Sequence, residues 1–350
     1  MSDNYHEELK KKNVIKLRER MKDLPLFTRD FFIGISQTTS ARTRIGYAYD
    51  LSIFFRYLTN ENSKFENKKV TELTTDDLAK VTAKDIELFM EYLSFYIKTD
   101  TKMEFQNEEC GKSRKLSAVR TLFSYLYKRG LLPANPSELV DPPKIKEKTI
   151  TRLEIDEVAK LLDMVESGEK LTENQKKYHK RTCSRDLAII TLLLGTGIRV
   201  SECVGVDINH IDFNISGIKI TRKGGKEALV FFGEEVGEAL YIYLEERLKS
   251  ETLPGHEDAL FLSMQNRRIT DRAVQNLVKK YAALVTKIKN ISPHKLRSTF
   301  GTALYRETGD IYLVADVLGH TDVNTTRKHY AEMDENRRRN AAKYVKLRKE

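Results

Sequence analysis

Proline and glycine are scarce: seven and seventeen residues in a chain of 350, too few for a disordered or fibrous protein. Long apolar runs are missing too. The longest obvious one, Leu187 to Leu194, falls far short of the roughly 18 residues that cross a bilayer. No membrane association is expected. The opening MSDNYHEELKKKN is charged with no apolar stretch behind it, which argues against a secretory signal. Three cysteines, Cys110, Cys183 and Cys203, are odd in number, widely spaced and never in CxxC form. Neither a disulfide framework nor a structural zinc site is expected, and a reducing cytoplasm fits. Several enzyme signatures are also absent. There is no GxxxxGK[ST] loop, no GxSxG elbow, no HExxH and no dinucleotide glycine fingerprint.

What remains is substantial. An apolar fraction of 40% suffices to bury real cores, and a mass of 40.5 kDa favours two domains. Basic residues number 61 against 51 acidic, for a net charge of +10 and a pI near 9.2. A polyanion is a reasonable partner for such a chain. Residues 1–146 carry 26 basic and 21 acidic groups, so both halves are basic. That balance favours two lobes gripping one ligand over a basic tail on a neutral enzyme.

Up to about residue 132 the pattern is almost all helical. Residues 5–23 are charged and rich in helix formers. A second helix begins near Ser40 and runs through ARTRIGYAYDLSIFFRYL, with Ile45, Ala48, Phe55 and Leu58 facing inward. Thr82 to Asp85 reads as a capping signal ahead of IELFMEYLSFYI. A fourth helix starts near Lys112 and ends at Gly130. From Cys110 to Ser137 there is no acidic residue, while Lys112, Arg114, Lys115, Arg120, Lys128 and Arg129 are all positive. A solvated face normally mixes signs, so this stretch reads as an electrostatic footprint for phosphates. Lys112, Arg114, Lys115 and Arg120, with Arg42 and Arg44 on the second helix, are the candidate contacts to a nucleic-acid backbone.

Residues 133–150 hold four of the seven prolines and form the expected linker. Beyond it the pattern mixes helix and strand. Thr151 to Glu154 reads as a capping box before IDEVAKLLDMV, and a polar stretch, 167–182, leads into the apolar helix RDLAIITLLL. ISGIKITRKGGKEALVFFG reads as two or three short strands with a turn at Lys223-Gly224-Gly225-Lys226. Helices follow at roughly 234–249, 271–288 and 294–307.

Polar residues stand where apolar ones are expected. Arg199 and Glu202 lie in GTGIRVSE; His294 and Arg297 lie in SPHKLRSTF, one helical turn apart; His320 ends VADVLGH, and Tyr330 ends TTRKHY. Guanidinium forks match phosphate oxygens and neutralise a pentavalent transition state. Histidines donate hydrogen bonds or move protons. A tyrosine hydroxyl can attack phosphorus, and a lysine on a turn can protonate the departing alkoxide. Singly, each has an ordinary reading. An arginine after a buried helix is usually a surface salt bridge, a hairpin lysine is usually solvated, and Tyr305 and Tyr312 rival Tyr330 but sit in apolar helical patterns. Together the ordinary readings require five coincidences in order.

GxRxSE, a KGxK hairpin, HxLR, LGH and a downstream TTxxxY occur here in the order of the tyrosine recombinase (phage integrase) family. Residues 150–335 resemble that family's catalytic half, most closely the Xer-type members, and the helical N-terminal half resembles its core-binding domain. The resemblance implies a mainly α chain of two domains: a SAM-like helical DNA-binding domain over 1–140, a linker over 141–150, and an α-rich catalytic domain with a small antiparallel sheet over 151–335. The tail 336–350 would pack on a neighbouring protomer in a tetramer.

The roles it implies are specific. Arg199 and Arg297 would clamp the scissile phosphate, His294 would assist proton transfer, and Lys223 would be the general acid for the 5′-oxygen. His320 would bond a non-bridging oxygen, Glu202 would orient Arg199, and Tyr330 would become the 3′-phosphotyrosine. Two positions depart from the usual pattern: Tyr330 follows His320 by ten residues where nine is common, and Ser298 stands where a second histidine is frequent. The implied activity is site-specific recombination of duplex DNA through a Holliday junction, with neither metal nor nucleotide cofactor, in a bacterial cytoplasm. Chromosome dimer resolution fits best; integration or excision of a mobile element, a catalytically silent DNA-binding protein and a type IB topoisomerase are the alternatives. A partner recombinase or an accessory DNA motor is compatible with that role.

Overall fold

The computed structural model describes residues 4–98, 102–145, 151–286 and 288–320. It divides the chain into two compact units, 3–148 and 149–350.

The first unit contains α1 (Asn4–Met21), α2 (Thr28–Gly34), α3 (Ala41–Glu61), α4 (Thr75–Ala79) and α5 (Ala83–Tyr92). A hairpin of β1 (Tyr96–Lys98) and β2 (Met103–Phe105) follows, then α6 (Glu109–Lys128). Local chemistry sets these boundaries. Ser40 Oγ accepts the Thr43 N–H at 3.1 Å and opens α3. Thr82 and Asp85 cap α5 reciprocally, at 2.7 and 3.3 Å. The core gathers Leu51, Phe54, Phe55 and Leu58 of α3, Phe89 of α5, and Leu116, Val119, Phe123 and Leu126 of α6.

One expectation is corrected here. The sequence pattern continues the α5 helix through Ile97, but the helix stops at Tyr92 and residues 96–98 pair with 103–105. The rings of Tyr92, Tyr96 and Phe105 stack at centroid separations of 5.1 and 5.5 Å. Aromatic and β-branched side chains fit a pleated surface better than a helix, and here a stack of rings holds the strand.

The second unit contains α7 (Ile155–Ser167), α8 (Glu173–Thr196) and α9 (Val200–Val204), then β3 (Ile211–Asp212), β4 (Gly217–Thr221) and β5 (Glu227–Phe231). These strands form one antiparallel sheet in the order β3-β4-β5. It continues with α10 (Glu234–Leu248), α11 (Asp271–Val285), α12 (Pro293–Thr308) and α13 (Ile311–Leu318). The fold is thus mainly α with small antiparallel sheets. Helix α8 is central: Ala188, Ile189, Ile190, Leu192 and Leu193 are fully buried, and α7, α10 and α12 pack around it.

Two boundaries differ from the sequence pattern. Helix α8 starts at Glu173, inside the polar stretch, because Thr172 and Gln175 cap each other at 3.0 and 3.3 Å. The box that opens α7 is Glu154 with Glu157, whose Oε2 accepts the Glu154 N–H at 2.8 Å; Thr151 lies outside the helix. Among the described residues no helix is long and apolar enough to cross a membrane.

Candidate active site

Helix α8 ends on Gly197, whose φ is +64°. A Cβ there would meet Phe300 Cδ1 and approach Leu318 Cδ2 to 2.8 Å, so glycine is required both by the backbone and by the packing. This turn delivers Arg199 to the N-cap of α9. Glu202, 3% exposed, holds it twice: Oε2 accepts the Arg199 N–H at 2.7 Å and Oε1 accepts Nη1–H at 2.8 Å. One carboxylate thus both caps the helix and fixes the guanidinium.

Arg297 lies on α12, one turn after the exposed His294, and is 4% exposed. Its Nη1 donates to Gly197 O at 2.6 Å and its Nη2 donates to Leu318 O. A buried guanidinium needs acceptors for its donors. Here they are carbonyls from the two chain turns that precede Arg199 and His320.

The second turn closes α13. Gly319 has φ +62°; its N–H donates to Asp316 O at 2.8 Å and the His320 N–H to Ala315 O at 2.9 Å. This is a Schellman motif. It satisfies two of the carbonyls that a helix C-terminus leaves without partners. The next three are taken by arginines from three distant segments. Arg222 Nη2 donates to Val317 O at 3.1 Å, Arg297 to Leu318 O, and Arg199 Nη2 to Gly319 O at 3.4 Å. The negative end of the helix dipole therefore draws together three cations. Glu202 pairs with one of them, Arg199. A site this rich in guanidinium favours an anion.

The structure accordingly brings Arg199, Glu202, Arg297 and the His320 turn together. Lys223 is exposed on the β4–β5 turn, directly after Arg222. Tyr330 and the tail 336–350 lie outside the described residues. Arg222 is the residue that sequence reasoning missed: beside Lys223 it resembles any solvated hairpin cation. Cys203, next to Glu202, is fully buried, and burial pushes its thiol far above its ordinary value, so it is no nucleophile.

In the first unit the six candidate DNA contacts separate. Arg42 is exposed at the start of α3. Lys112 Nζ donates to Ser94 Oγ at 2.7 Å, and Arg114 pairs with the buried Asp50 while its side chain stays half exposed. Arg44 is half-buried, donating to Phe32 O at 3.4 Å. Two need correction. Lys115 is buried, its ammonium donating to Asn107 Oδ1 at 2.6 Å, and burial lowers its pKa. Arg120 donates to the carbonyls of Ser137 and Val140, fastening the 3-10 turn Pro136–Leu139 to α6. Burial also raises the Asp50 carboxyl, against the pull of Arg114 and Lys115. Part of the positive stretch is therefore internal wiring.

A mainly helical first unit and an arginine-lined helix terminus in the second define a class already suggested by the motifs. The phage integrase family matches residues 151–337. The chain belongs to this family of tyrosine recombinases. It is 31% identical to tyrosine recombinase XerC of Caldanaerobacter subterraneus subsp. tengcongensis over 345 residues, covering 95% of this chain and 89% of that one. With tyrosine recombinase XerC of Thermodesulfovibrio yellowstonii it shares 30% over 298 residues, covering 84% and 87%. Its fold is that of XerH site-specific recombinase in a pre-cleavage complex with difH (TM-score 0.61, 21% identity, 88% of this chain and 81% of that chain). A lambda integrase tetramer bound to a Holliday junction shares the fold as well (TM-score 0.60, 15% identity, 87% and 76%).

Proposed function

We propose that this chain cuts and rejoins duplex DNA at a specific site through a phosphotyrosine at Tyr330. The Tyr330 oxygen attacks the scissile phosphorus, and its proton passes to His294. As the new O–P bond forms, the P–O5′ bond breaks; O5′ keeps the electron pair and takes a proton from Lys223. Arg199 and Arg297 hold the non-bridging oxygens, and His320 donates to one of them. The guanidinium fork that spans two carbonyls in Arg297 also matches two phosphate oxygens. The phosphotyrosyl link conserves the bond, so a 5′-hydroxyl from a second duplex can reverse the step and exchange strands.

The observation that carries this reading is the meeting of Arg199 and Arg297 at Gly319 and Leu318, beside His320. In this reading the first unit and the second grip one DNA duplex, four protomers exchange strands through a Holliday junction, and the tail 336–350 packs on a neighbour. Chromosome dimer resolution is supported by the span shared with relatives named XerC. Integration or excision of a mobile element is the second reading, favoured by the ten-residue step from His320 to Tyr330.

The test uses a duplex selected from a randomised pool for binding to Tyr330→Phe protein, then nicked so that cleavage traps the product. A covalent adduct with the wild-type chain that disappears in Tyr330→Phe supports the proposal. An adduct that persists in the variant reassigns the nucleophile. Specific binding with no adduct points to a silent DNA-binding protein, and relaxation of supercoils without a preferred site points to a topoisomerase.

A further inference from the structure

Lys223 sits on a turn that little else restrains. Gly224 and Gly225 have φ of +94° and +83°, and a Cβ at either would meet nothing within 4 Å. A lysine on such a turn samples many positions, yet general acid catalysis needs it within hydrogen-bond reach of one oxygen. Arg222 supplies a tether. It closes the hairpin through its own backbone, donating to Lys226 O at 2.7 Å and accepting from Gly225 N–H at 3.0 Å. Its side chain reaches Val317 O at 3.1 Å and lies against Gly319, where an added Cβ would collide with Nη1. The hairpin is thus fastened to the carbonyl next to those held by Arg297 and Arg199.

The bonding of Arg222 also differs from that of arginines that serve the fold. Arg247 donates to Ala259 O and Glu257 O at 2.9 and 2.7 Å, and Arg268 to Val204 O and Val206 O as well as Asp207. Arg222 makes a single carbonyl bond of this kind, and its Nε is buried with no hydrogen-bond partner among the described residues. Its place, rather than its bonding, is what the site uses.

We propose that Arg222 is a positioning residue that pins the Lys223 turn to the end of α13, presenting the lysine to the phosphate held by Arg199 and Arg297. The proposal rests on the reading of Lys223 as the general acid. It deepens that reading by naming what holds the acid in place.

The experiment compares two nicked duplexes at the cleavage position mapped with wild-type protein: one with the ordinary 5′-oxygen, one with a 5′-bridging sulfur. A thiolate leaves without protonation, so sulfur spares any defect in delivering the proton and no other defect. Full-length Arg222→Ala should cleave the oxygen linkage about 100-fold more slowly, the scale of general acid catalysis. It should return to within a few-fold of wild type on sulfur, with DNA affinity unchanged. Arg222→Lys, which keeps one donor, should show a smaller oxygen defect with the same recovery, and serves where Arg222→Ala folds poorly. Equal impairment of both Arg222 variants on oxygen and sulfur, or no impairment on either, overturns the proposal. Lys223→Ala separates the levels. If it recovers on sulfur while the Arg222 variants do not, the tether is wrong and the acid stands. If Lys223→Ala itself fails to recover, the acid is misassigned and the tether falls with it.

Discussion

Arg297 Nη1 lies 2.6 Å from the carbonyl oxygen of Gly197, a residue 100 positions earlier in the chain. Through its second nitrogen the same side chain holds Leu318 O. One buried guanidinium therefore joins the turn that delivers Arg199 to the turn that delivers His320, and the site's geometry depends on it. Arg297→Lys cannot span both carbonyls. It should cost about 2–3 kcal/mol, the price of leaving a buried acceptor unmet, read as a lower urea midpoint. Cleavage should fall at least about 100-fold, as when one transition-state donor is lost.

Gly319 answers to two constraints at once. Its φ of +62° disfavours any side chain, and a Cβ would strike the Arg222 guanidinium. Gly319→Ala should destabilise the second unit by about 1–2 kcal/mol through backbone strain alone. If Arg222 is also displaced, cleavage of the ordinary linkage should drop further than the lost stability explains. Thermal unfolding and adduct yield, measured side by side, separate the two effects.

The basic residues of the first unit should divide by burial. Arg42→Ala removes an exposed cation, so it should reduce the salt dependence of DNA binding by about one counterion. Lys115→Ala removes a buried ammonium bonded to Asn107, so it should lower stability and leave the salt slope unchanged. Binding isotherms at several salt concentrations decide between these outcomes.

How much of this is legible in sequence follows from the range of each interaction. The Arg199–Glu202 pair spans three positions inside a helix cap, and such local chemistry leaves a local signature. So do the Ser40 and Thr82 caps. The hairpin at 96–105 does not, because IELFMEYLSFYI has helical spacing and the ring stack that overrides it requires Phe105. Lys115 illustrates the same limit in a charged stretch: its burial depends on Asn107 and Asp50. Arg222 is the extreme case. Its partner Val317 is 95 positions away, so nothing in the local sequence distinguishes it from a solvated hairpin cation.

Acid should weaken the second unit through His210. Burial lowers its pKa below the ordinary 6.5, with Asp207 pulling the other way. Its Nδ1 accepts the Asp207 N–H at 3.1 Å, a bond that needs the neutral ring. Between the folded and unfolded values the unfolded chain binds more protons, so stability rises with pH through that window. It should therefore be full above about pH 6.5 and decline as the pH falls toward the lower folded value. His210→Asn keeps an acceptor without a titration, and should flatten the decline in urea midpoint between neutral and mildly acidic buffer.

The central claim is that Arg199 and Arg297 exist to neutralise one phosphate. Its most direct measurement is adduct formation by wild type and Arg199→Ala on two duplexes, one with the ordinary scissile phosphate and one with a neutral methylphosphonate there. Removing the charge from the substrate should make the arginine dispensable: Arg199→Ala should be inactive on phosphate and form adduct at Tyr330 on the methylphosphonate. Equal inactivity on both duplexes, from a folded protein that still binds DNA, would contradict the account.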